Sequence, residues 1–206
     1  MNWLAHVFLS EPDVECQLGN LLADLVKGRD RKGMSAGFLR GTRCHQIIDA
    51  FTDYHPVVER SRHRISPTHR RFAGILIDVF YDHFLARDWR RYSPEPLDRF
   101  TARLYAAFQA APIVLPPLAQ LAVTRMIADD RLGSYRHVEG IADTLRRISI
   151  RLTLRLGRPF ALEDAVDELT ANDAALAADF AEFFPALQAR VAQWQNEQGE
   201  VIATAT

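Results

Sequence analysis

The chain has 206 residues, of which 48% are hydrophobic and 25% charged, a composition typical of a globular domain with a sizeable core. It excludes a disordered, collagen-like or disulfide-rich chain, and the formal net charge of −1 by itself indicates neither a nucleic-acid nor a membrane partner. Cys16 and Cys44 match no zinc-ribbon or secreted disulfide spacing, so we expect a cytoplasmic protein.

Apolar residues recur at the helical spacing of i, i+3 and i+4 along the chain, and Gly and Pro cluster between those segments. The sequence therefore predicts an all-α fold, a single-domain helical bundle over residues 1–206. Ser66 followed by Pro67 is a helix-start signal, and Pro185 predicts a break in the last helix. In chain order, the predicted helices are Asn2–Leu9, Glu15–Lys27, Ser35–Tyr54, Ser66–Asp88, Pro96–Ala111, Pro117–Ala128, Ser134–Leu156 and Leu162–Gln198.

The segment Gly74–Leu85, GILIDVFYDHFL, has apolar side chains in nearly every direction of a helix, which predicts that the helix is buried. It also carries Asp78, Asp82 and His83. Buried carboxylates are costly unless they are paired or bind a metal ion, so these side chains need a partner. Two interpretations remain open at this point, a metal site or a set of structural salt bridges and hydrogen bonds.

A second polar strip lies on the helix that contains CHQIIDAFTD, where His45, Asp49 and Asp53 follow one another at intervals of one helical turn. An imidazole nitrogen and a carboxylate oxygen at this spacing can hold one divalent ion. Taken alone, the strip is better explained by a His–Asp hydrogen bond on a solvated helix face.

Two further candidates lie closer to the start of the chain. Asp24, in GNLLADLVKG, lies on the polar side of an amphipathic helix, where an ordinary solvent-facing position explains it equally well. His6, in WLAHVFL, has the surroundings of a core histidine. The candidate residues are more informative together than singly, because five aspartates and three histidines on four early helices can converge in a bundle core.

Four motifs together resemble a known family. They are MNWLAH at the start, GNLLADLVKG, the run GxxxHxxIDxFTD from Gly41 to Asp53, and VFYDHFL from Val79 to Leu85. In this order and at similar spacing they resemble the bacterial acyl carrier protein phosphodiesterase family, also called acyl carrier protein hydrolase. The resemblance covers Met1 to about Trp89, and the remainder is similar mainly in helical character and length.

The resemblance implies an HD-domain-like fold, divergent from the HD phosphohydrolases, and a divalent cation, commonly Mn²⁺ with Mg²⁺ as the alternative. The implied reaction is hydrolysis of the phosphodiester that joins 4′-phosphopantetheine to a serine of holo-acyl carrier protein. It would yield the apo protein and free 4′-phosphopantetheine. The holo-acyl carrier protein is thus the implied partner, with no role for nucleic acid or membrane.

By motif position, the resemblance implies metal ligation by Asp24, His45, Asp49, Asp82 and His83, with His6 and Asp78 as weaker candidates. Asp24 is the carboxylate that we expect to matter most for catalysis. His45 or His83 is the candidate general acid for the leaving serine oxygen. The chain has Asp before His at positions 82 and 83, the reverse of the HD order, so the order of ligands does not follow from the HD pattern.

The small net charge hides a strong polarity along the chain. Residues 27–71 contain 11 Lys plus Arg against 4 Asp plus Glu, whereas residues 163–200 contain 9 acids and one base. A basic surface steers an acidic protein toward it, and acyl carrier proteins are acidic. The alternative is a solvated face neutralised by the acidic C-terminal helix. The predicted partner-binding residues are Arg60, Arg62, Arg64, Arg70 and Arg71.

Other classes of function remain open. The nearest enzymatic rival is an HD-type phosphohydrolase acting on a nucleotide or another small phosphodiester. A metal-free helical adaptor would use the same His and Asp residues only as structural pairs. A nucleic-acid-binding module would use the stripe of Arg147, Arg151 and Arg155, which lie one helical turn apart. The apolar stretch Pro112–Thr124 either packs into the core, which we expect, or forms a wall for the pantetheine arm.

Overall fold

The computed structural model describes the backbone of residues 1–204 and the side chains of residues 1–198. Within that range the secondary structure consists of helices, with no strand, so the all-α prediction is confirmed. The HD-like arrangement stays a prediction. The α-helices are α1 (Trp3–Leu9), α2 (Val14–Leu22), α3 (Gly28–Lys32), α4 (Ala36–Tyr54), α5 (Pro56–Arg64), α6 (Ala73–Arg87), α7 (Leu97–Ala110), α8 (Pro117–Ala128), α9 (Arg131–Ser134), α10 (Val138–Leu156), α11 (Val166–Ala171) and α12 (Asp173–Thr204).

Helix α6 runs through the centre of the bundle, as the sequence predicts. Its side chains from Leu76 to Ala86 are almost all buried, and α1, α5, α10 and α12 pack around it. The aromatic rings of Tyr81 and Phe84 lie against Phe180 of α12. This central helix and its neighbours form one continuous hydrophobic core, which holds the N-terminal helices in fixed positions.

Helices α2 and α4 cross at very short range because a glycine stands at each side of the crossing. A Cβ atom at Gly41 would lie 1.9 Å from the carbonyl oxygen of Cys16, and one at Gly19 would lie 2.0 Å from that of Phe38. Both helices begin at a side-chain cap, since Asp13 accepts from the Cys16 N–H and Ser35 from the Phe38 N–H. The close crossing brings the backbone of α2 within reach of side chains on α4.

Several predicted boundaries are wrong for local reasons. The helix predicted over Ser66–Asp88 starts at Ala73, because Ser66 bonds to Glu168 through both its backbone N–H and its hydroxyl. The sequence prediction also omits α5, in which few apolar residues mark the helical period. Pro185 does not break α12: its ring is exposed, and core residues on both sides hold the helix in place. The interruption lies at Asn172 instead.

The apolar stretch from Leu104 to Thr124 divides into the end of α7 and the start of α8, as its prolines predict. No described helix combines the length and the apolar character that a membrane crossing needs. The prediction that the stretch Pro112–Thr124 packs into the core holds for only some of the side chains of α8. Ala119, Val123 and Met126 are buried, whereas the side chains of Leu118 and Leu121 are 75% and 43% exposed.

Candidate metal centre

Three of the sequence candidates meet at one point between α1 and α4. The Nε2 atom of His6 lies 3.2 Å from one carboxylate oxygen of Asp49, and the Nε2 atom of His45 lies 2.9 Å from the other. The two imidazole rings are stacked, with centroids 4.2 Å apart. Potential ligand atoms of all three residues lie within 4.8 Å of one another, a spacing that suits a shared ion.

Asn20 of α2 orients both imidazole rings. Its side-chain oxygen lies 2.8 Å from Nδ1 of His6, and its backbone oxygen lies 2.8 Å from Nδ1 of His45. Its amide nitrogen donates to the His6 carbonyl and to the Ser10 hydroxyl, which fixes the orientation of the amide group. An oxygen acceptor at each Nδ1 requires a proton there, so in the neutral rings both Nε2 lone pairs point into the cluster.

The end of α2 makes this arrangement possible. The helix ends at Leu22, five residues before the predicted end at Lys27. The last four carbonyl groups of a helix have no partner within the helix, so the oxygen of Asn20 is free to accept from His45. In a helix continuing through Asp24, the same oxygen would also accept from the Asp24 N–H.

Asp24 lies in the turn that follows α2, at the solvent-exposed edge of the cluster. Its Oδ2 atom lies 3.7 Å from Nε2 of His45, and its Oδ1 atom lies 3.0 Å from Nζ of Lys27. The Asp24 side chain is 73% exposed, whereas that of His6 is 2% exposed. The cluster therefore has a buried base at His6 and an exposed face at Asp24 and Lys27.

The charges in the cluster stabilise one another. Burial disfavours a proton on His45, but the carboxylates of Asp24 and Asp49 outweigh it and raise the pKa of His45 to about 9. The same contacts hold the pKa values of Asp24 and Asp49 far below their usual range. Burial lowers the pKa of His6, which favours the neutral ring. A positive charge is thus favoured at the centre.

The donor set fits a divalent ion. The Nε2 atoms of His6 and His45 and the carboxylate of Asp49 face one space, with the Asp24 carboxylate at its edge, 3.7 Å from His45. The Nδ1 atoms of both rings are already engaged by Asn20. The carbonyl oxygen of Met1 also lies 3.2 Å from Nε2 of His6. Imidazole and carboxylate ligands together suit Mn²⁺ and related first-row cations, and polar contacts behind the ligands are typical of metal sites.

Asp78, a weaker sequence candidate, lies beside the cluster rather than in it. Its carboxylate accepts from the α-amino group of Met1 at 2.9 Å, and the same amino group lies 3.9 Å from Asp49. The amino group links α6 to the cluster through these two carboxylates.

The structure does not bring Asp82 and His83 into the cluster. Asp82 is fully buried and accepts from the N–H groups of Leu4 and Ala5, so it caps the start of α1 from a neighbouring helix. Burial raises the pKa of Asp82 to about 7. His83 is also buried, and its Nδ1 atom lies 2.8 Å from the carbonyl oxygen of Tyr135. The contacts of Asp82 and His83 therefore match the second interpretation of this helix, in which structural hydrogen bonds satisfy the buried polar groups.

Most of the predicted partner-binding arginines are occupied inside the chain. Arg60 and Arg64 both pair with the buried carboxylate of Asp179 on α12. Arg62 pairs with Asp53 at 2.7 Å. These contacts match the alternative in which acidic residues of the same chain neutralise the basic segment. Of the other two, Arg70 donates to backbone carbonyls, and the Arg71 guanidinium lies over the ring of Phe72.

Sequence reasoning missed the roles of Asn20 and Lys27. Both lie on the polar side of the GNLLADLVKG segment with Asp24, so their position was visible. The signal for Asn20 is that it is fully buried although it lies on the polar side of α2, and this becomes apparent only when α1 and α4 are packed against it.

The fold and the cluster define an all-α protein with a histidine and aspartate site suited to a divalent cation. Comparison with known proteins narrows this class. The sequence model described as acyl carrier protein phosphodiesterase matches residues 1–187, and the chain belongs to that family.

Relatives with the same printed name cover nearly the whole chain. An acyl carrier protein phosphodiesterase of Escherichia coli O157:H7 (strain EC4115 / EHEC) is 33% identical over 196 residues, 94% of this chain and 98% of the relative. One from Enterobacter sp. (strain 638) is 34% identical over 202 residues, 96% of this chain and 100% of the relative. No solved structure shows a significant match.

Proposed function

We propose that this protein hydrolyses the phosphodiester between 4′-phosphopantetheine and a serine of holo-acyl carrier protein. The products are the apo protein and free 4′-phosphopantetheine. The family match over residues 1–187 and the relatives' names support this reaction. The cluster of His6, His45 and Asp49 is the observation that carries it, because hydrolysis of a phosphodiester needs a centre that attracts the anionic phosphate.

We assign the ligation of one divalent ion, Mn²⁺ or else Mg²⁺, to His6, His45, Asp49 and Asp24. When bound, such an ion lowers the pKa of a water molecule and neutralises charge on phosphoryl oxygens. Because His45 ligates through Nε2 and donates from Nδ1 to Asn20, it has no free proton for the leaving serine oxygen. Its predicted role as general acid therefore gives way to that of a ligand.

The side chains around the open face orient the phosphate. The Lys27 ammonium group is 64% exposed and lies 3.0 Å from Asp24, so it can donate to a phosphoryl oxygen as the substrate arrives. Asn20 holds both rings in position from behind. We place the reaction in the cytoplasm, and the free, buried cysteines Cys16 and Cys44 fit its reducing conditions.

The test is the replacement Asp24→Ala, which removes the exposed carboxylate of the cluster and leaves the core untouched. We expect an unchanged helical circular dichroism spectrum and a loss of turnover of about a hundredfold or more. The readout is the conversion of holo- to apo-acyl carrier protein on a conformation-sensitive gel, with Mn²⁺ present. The matched control is Asp30→Ala, an exposed aspartate of the neighbouring helix α3.

Two outcomes would contradict the proposal. Near-normal release of 4′-phosphopantetheine by the Asp24→Ala protein would show that the cluster does not take part in the reaction. Metal analysis of the purified wild-type protein is the second measurement, and we expect a stoichiometric divalent ion that is lost in a His6→Ala and His45→Ala double variant. Wild-type protein that binds no such ion and hydrolyses no carrier protein would instead be a helical adaptor.

A further inference from the structure

A groove with an apolar floor and a basic rim opens beside the metal centre. It has a volume of about 480 Å³ and lies between α8 and α10, with the start of α1 at one end. In the described part of the chain, seven large hydrophobic side chains are strongly exposed. Four of the seven line this groove, namely Leu118, Leu121, Ile150 and Leu154. Exposed apolar side chains gathered in one groove mark a binding surface.

Four arginines surround this apolar floor. Arg131 and Arg147 share a single carboxylate, that of Asp129, at 3.1 and 3.3 Å. Arg125 and Arg151 line the groove and form no ion pair with any described residue. The rim therefore carries excess positive charge, in contrast to α5, where Asp179 and Glu182 neutralise Arg60 and Arg64. A complementary partner is acidic.

The groove is continuous with the candidate metal centre. Asn2 and Trp3, which precede His6 on the same short segment, line one end of it, and so does Leu25, the residue after Asp24. A protein seated in the groove would hold its surface next to the cluster.

We propose that the groove between α8 and α10 docks the carrier protein itself, through an acidic amphipathic helix. The apolar face of that helix would lie on Leu118, Leu121 and Leu154, and its carboxylates would meet Arg125, Arg147 and Arg151. This rests on the proposed function for the identity of the partner. It also transfers the partner-binding role from Arg60, Arg62 and Arg64, which the fold neutralises.

The experiment measures the affinity of metal-free protein for apo-acyl carrier protein, which has the protein surface but no pantetheine arm. Reversing a rim charge by Arg125→Glu should weaken binding by about tenfold. Arg99→Glu is the matched control, since Arg99 is an exposed arginine of α7 outside the groove, and it should change the affinity by less than about twofold.

A second pair of variants tests the apolar floor. Leu154→Gln should weaken binding severalfold, whereas Leu156→Gln, at a residue of the same helix that is exposed but does not line the groove, should leave it unchanged. Because these side chains are exposed, thermal unfolding midpoints should stay close to that of the wild type. Rising ionic strength should weaken wild-type binding and should affect the Arg125→Glu protein less.

Three outcomes would overturn the docking proposal. In the first, the groove variants bind apo-acyl carrier protein like the wild type. In the second, they lose affinity for the holo form alone, which would make the groove a site for the pantetheine arm. In the third, Arg70→Glu or Arg71→Glu weakens binding and Arg125→Glu does not. Failure of the proposed function looks different, because the wild type would then bind the carrier protein through the groove without hydrolysing it.

Discussion

His45 shows how strongly one residue depends on its neighbours. Its ring is 12% exposed and lies between the Asn20 carbonyl and two carboxylates. Because Nδ1 is committed to Asn20, the only site for a cation at this ring is Nε2. In the metal-free protein that cation is a proton, which explains why the carboxylates raise the pKa of His45 from 6.5 to about 9.

The raised pKa predicts how the stability of the metal-free protein changes with pH. The proton on His45 stabilises the fold fully below about pH 6.5, and this contribution is lost as the pH rises through about 9. We expect the difference in unfolding free energy between wild type and His45→Gln to shrink by about 2–3 kcal/mol from pH 6 to pH 10. Urea unfolding in the presence of a chelator measures it. A difference independent of pH would contradict the assigned contacts.

At the scale of elements, the crossing of α2 and α4 builds the centre. Gly19 and Gly41 let the two backbones touch, and that contact brings the Asn20 carbonyl to His45. Asp82 performs a similar task for α1, since its carboxylate holds the first N–H groups of the helix that carries His6. The cluster thus depends on two contacts between helices, the α2–α4 crossing and the hydrogen bonds of Asp82 to α1. Neither contact involves one of the proposed metal ligands.

Replacing Gly41 by alanine should separate α2 from α4. The new Cβ atom would meet backbone atoms at 1.9 Å, and backbone cannot move aside as a flexible side chain does. We expect a loss of about 3 kcal/mol in the free energy of unfolding, measured by urea denaturation. The matched control is Gly33→Ala, where the nearest atom is 3.8 Å away and φ is −89°. Equal stability of the two variants would refute the close crossing.

On the scale of the whole molecule, the opposite charges along the sequence are folded against each other. The basic helix α5 packs on the acidic helix α12, and the carboxylate of Asp179 is only 3% exposed between Arg60, Arg64 and the Ser61 hydroxyl. The net charge of −1 thus hides two oppositely charged segments that pair with each other on this side of the bundle. The groove between α8 and α10 keeps its excess positive charge because its rim has fewer acidic neighbours.

The buried position of Asp179 predicts a large effect of its removal. Asp179→Ala would leave Arg64 without its carboxylate partner inside the bundle and the Ser61 hydroxyl with only the Tyr81 hydroxyl, so we expect a loss of about 2–4 kcal/mol in unfolding free energy. Urea denaturation at neutral pH measures it. Glu182→Ala is the control, because Glu182 is 58% exposed and should contribute far less. A smaller effect for Asp179 than for Glu182 would contradict the structure.

The sequence by itself determined what depends on contacts within one helix. The period of apolar residues fixed the all-α class and the burial of α6, and the spacing of His45 and Asp49 placed both side chains on one face of α4. Motifs in the first half of the chain identified the family. The predictions about helices and their faces succeed because residues one turn apart are neighbours in any α-helix, whatever the helix packs against.

Only the tertiary structure decided which of the candidates meet. His6 and Asp24 join His45 and Asp49, whereas Asp82, on the most suggestive segment, caps α1 instead. The partner of Arg60 and Arg64, Asp179, likewise lies more than a hundred residues away, on α12. The physical reason is that contacts between helices depend on where each helix ends and how closely two backbones approach, and neither is encoded in the helical period.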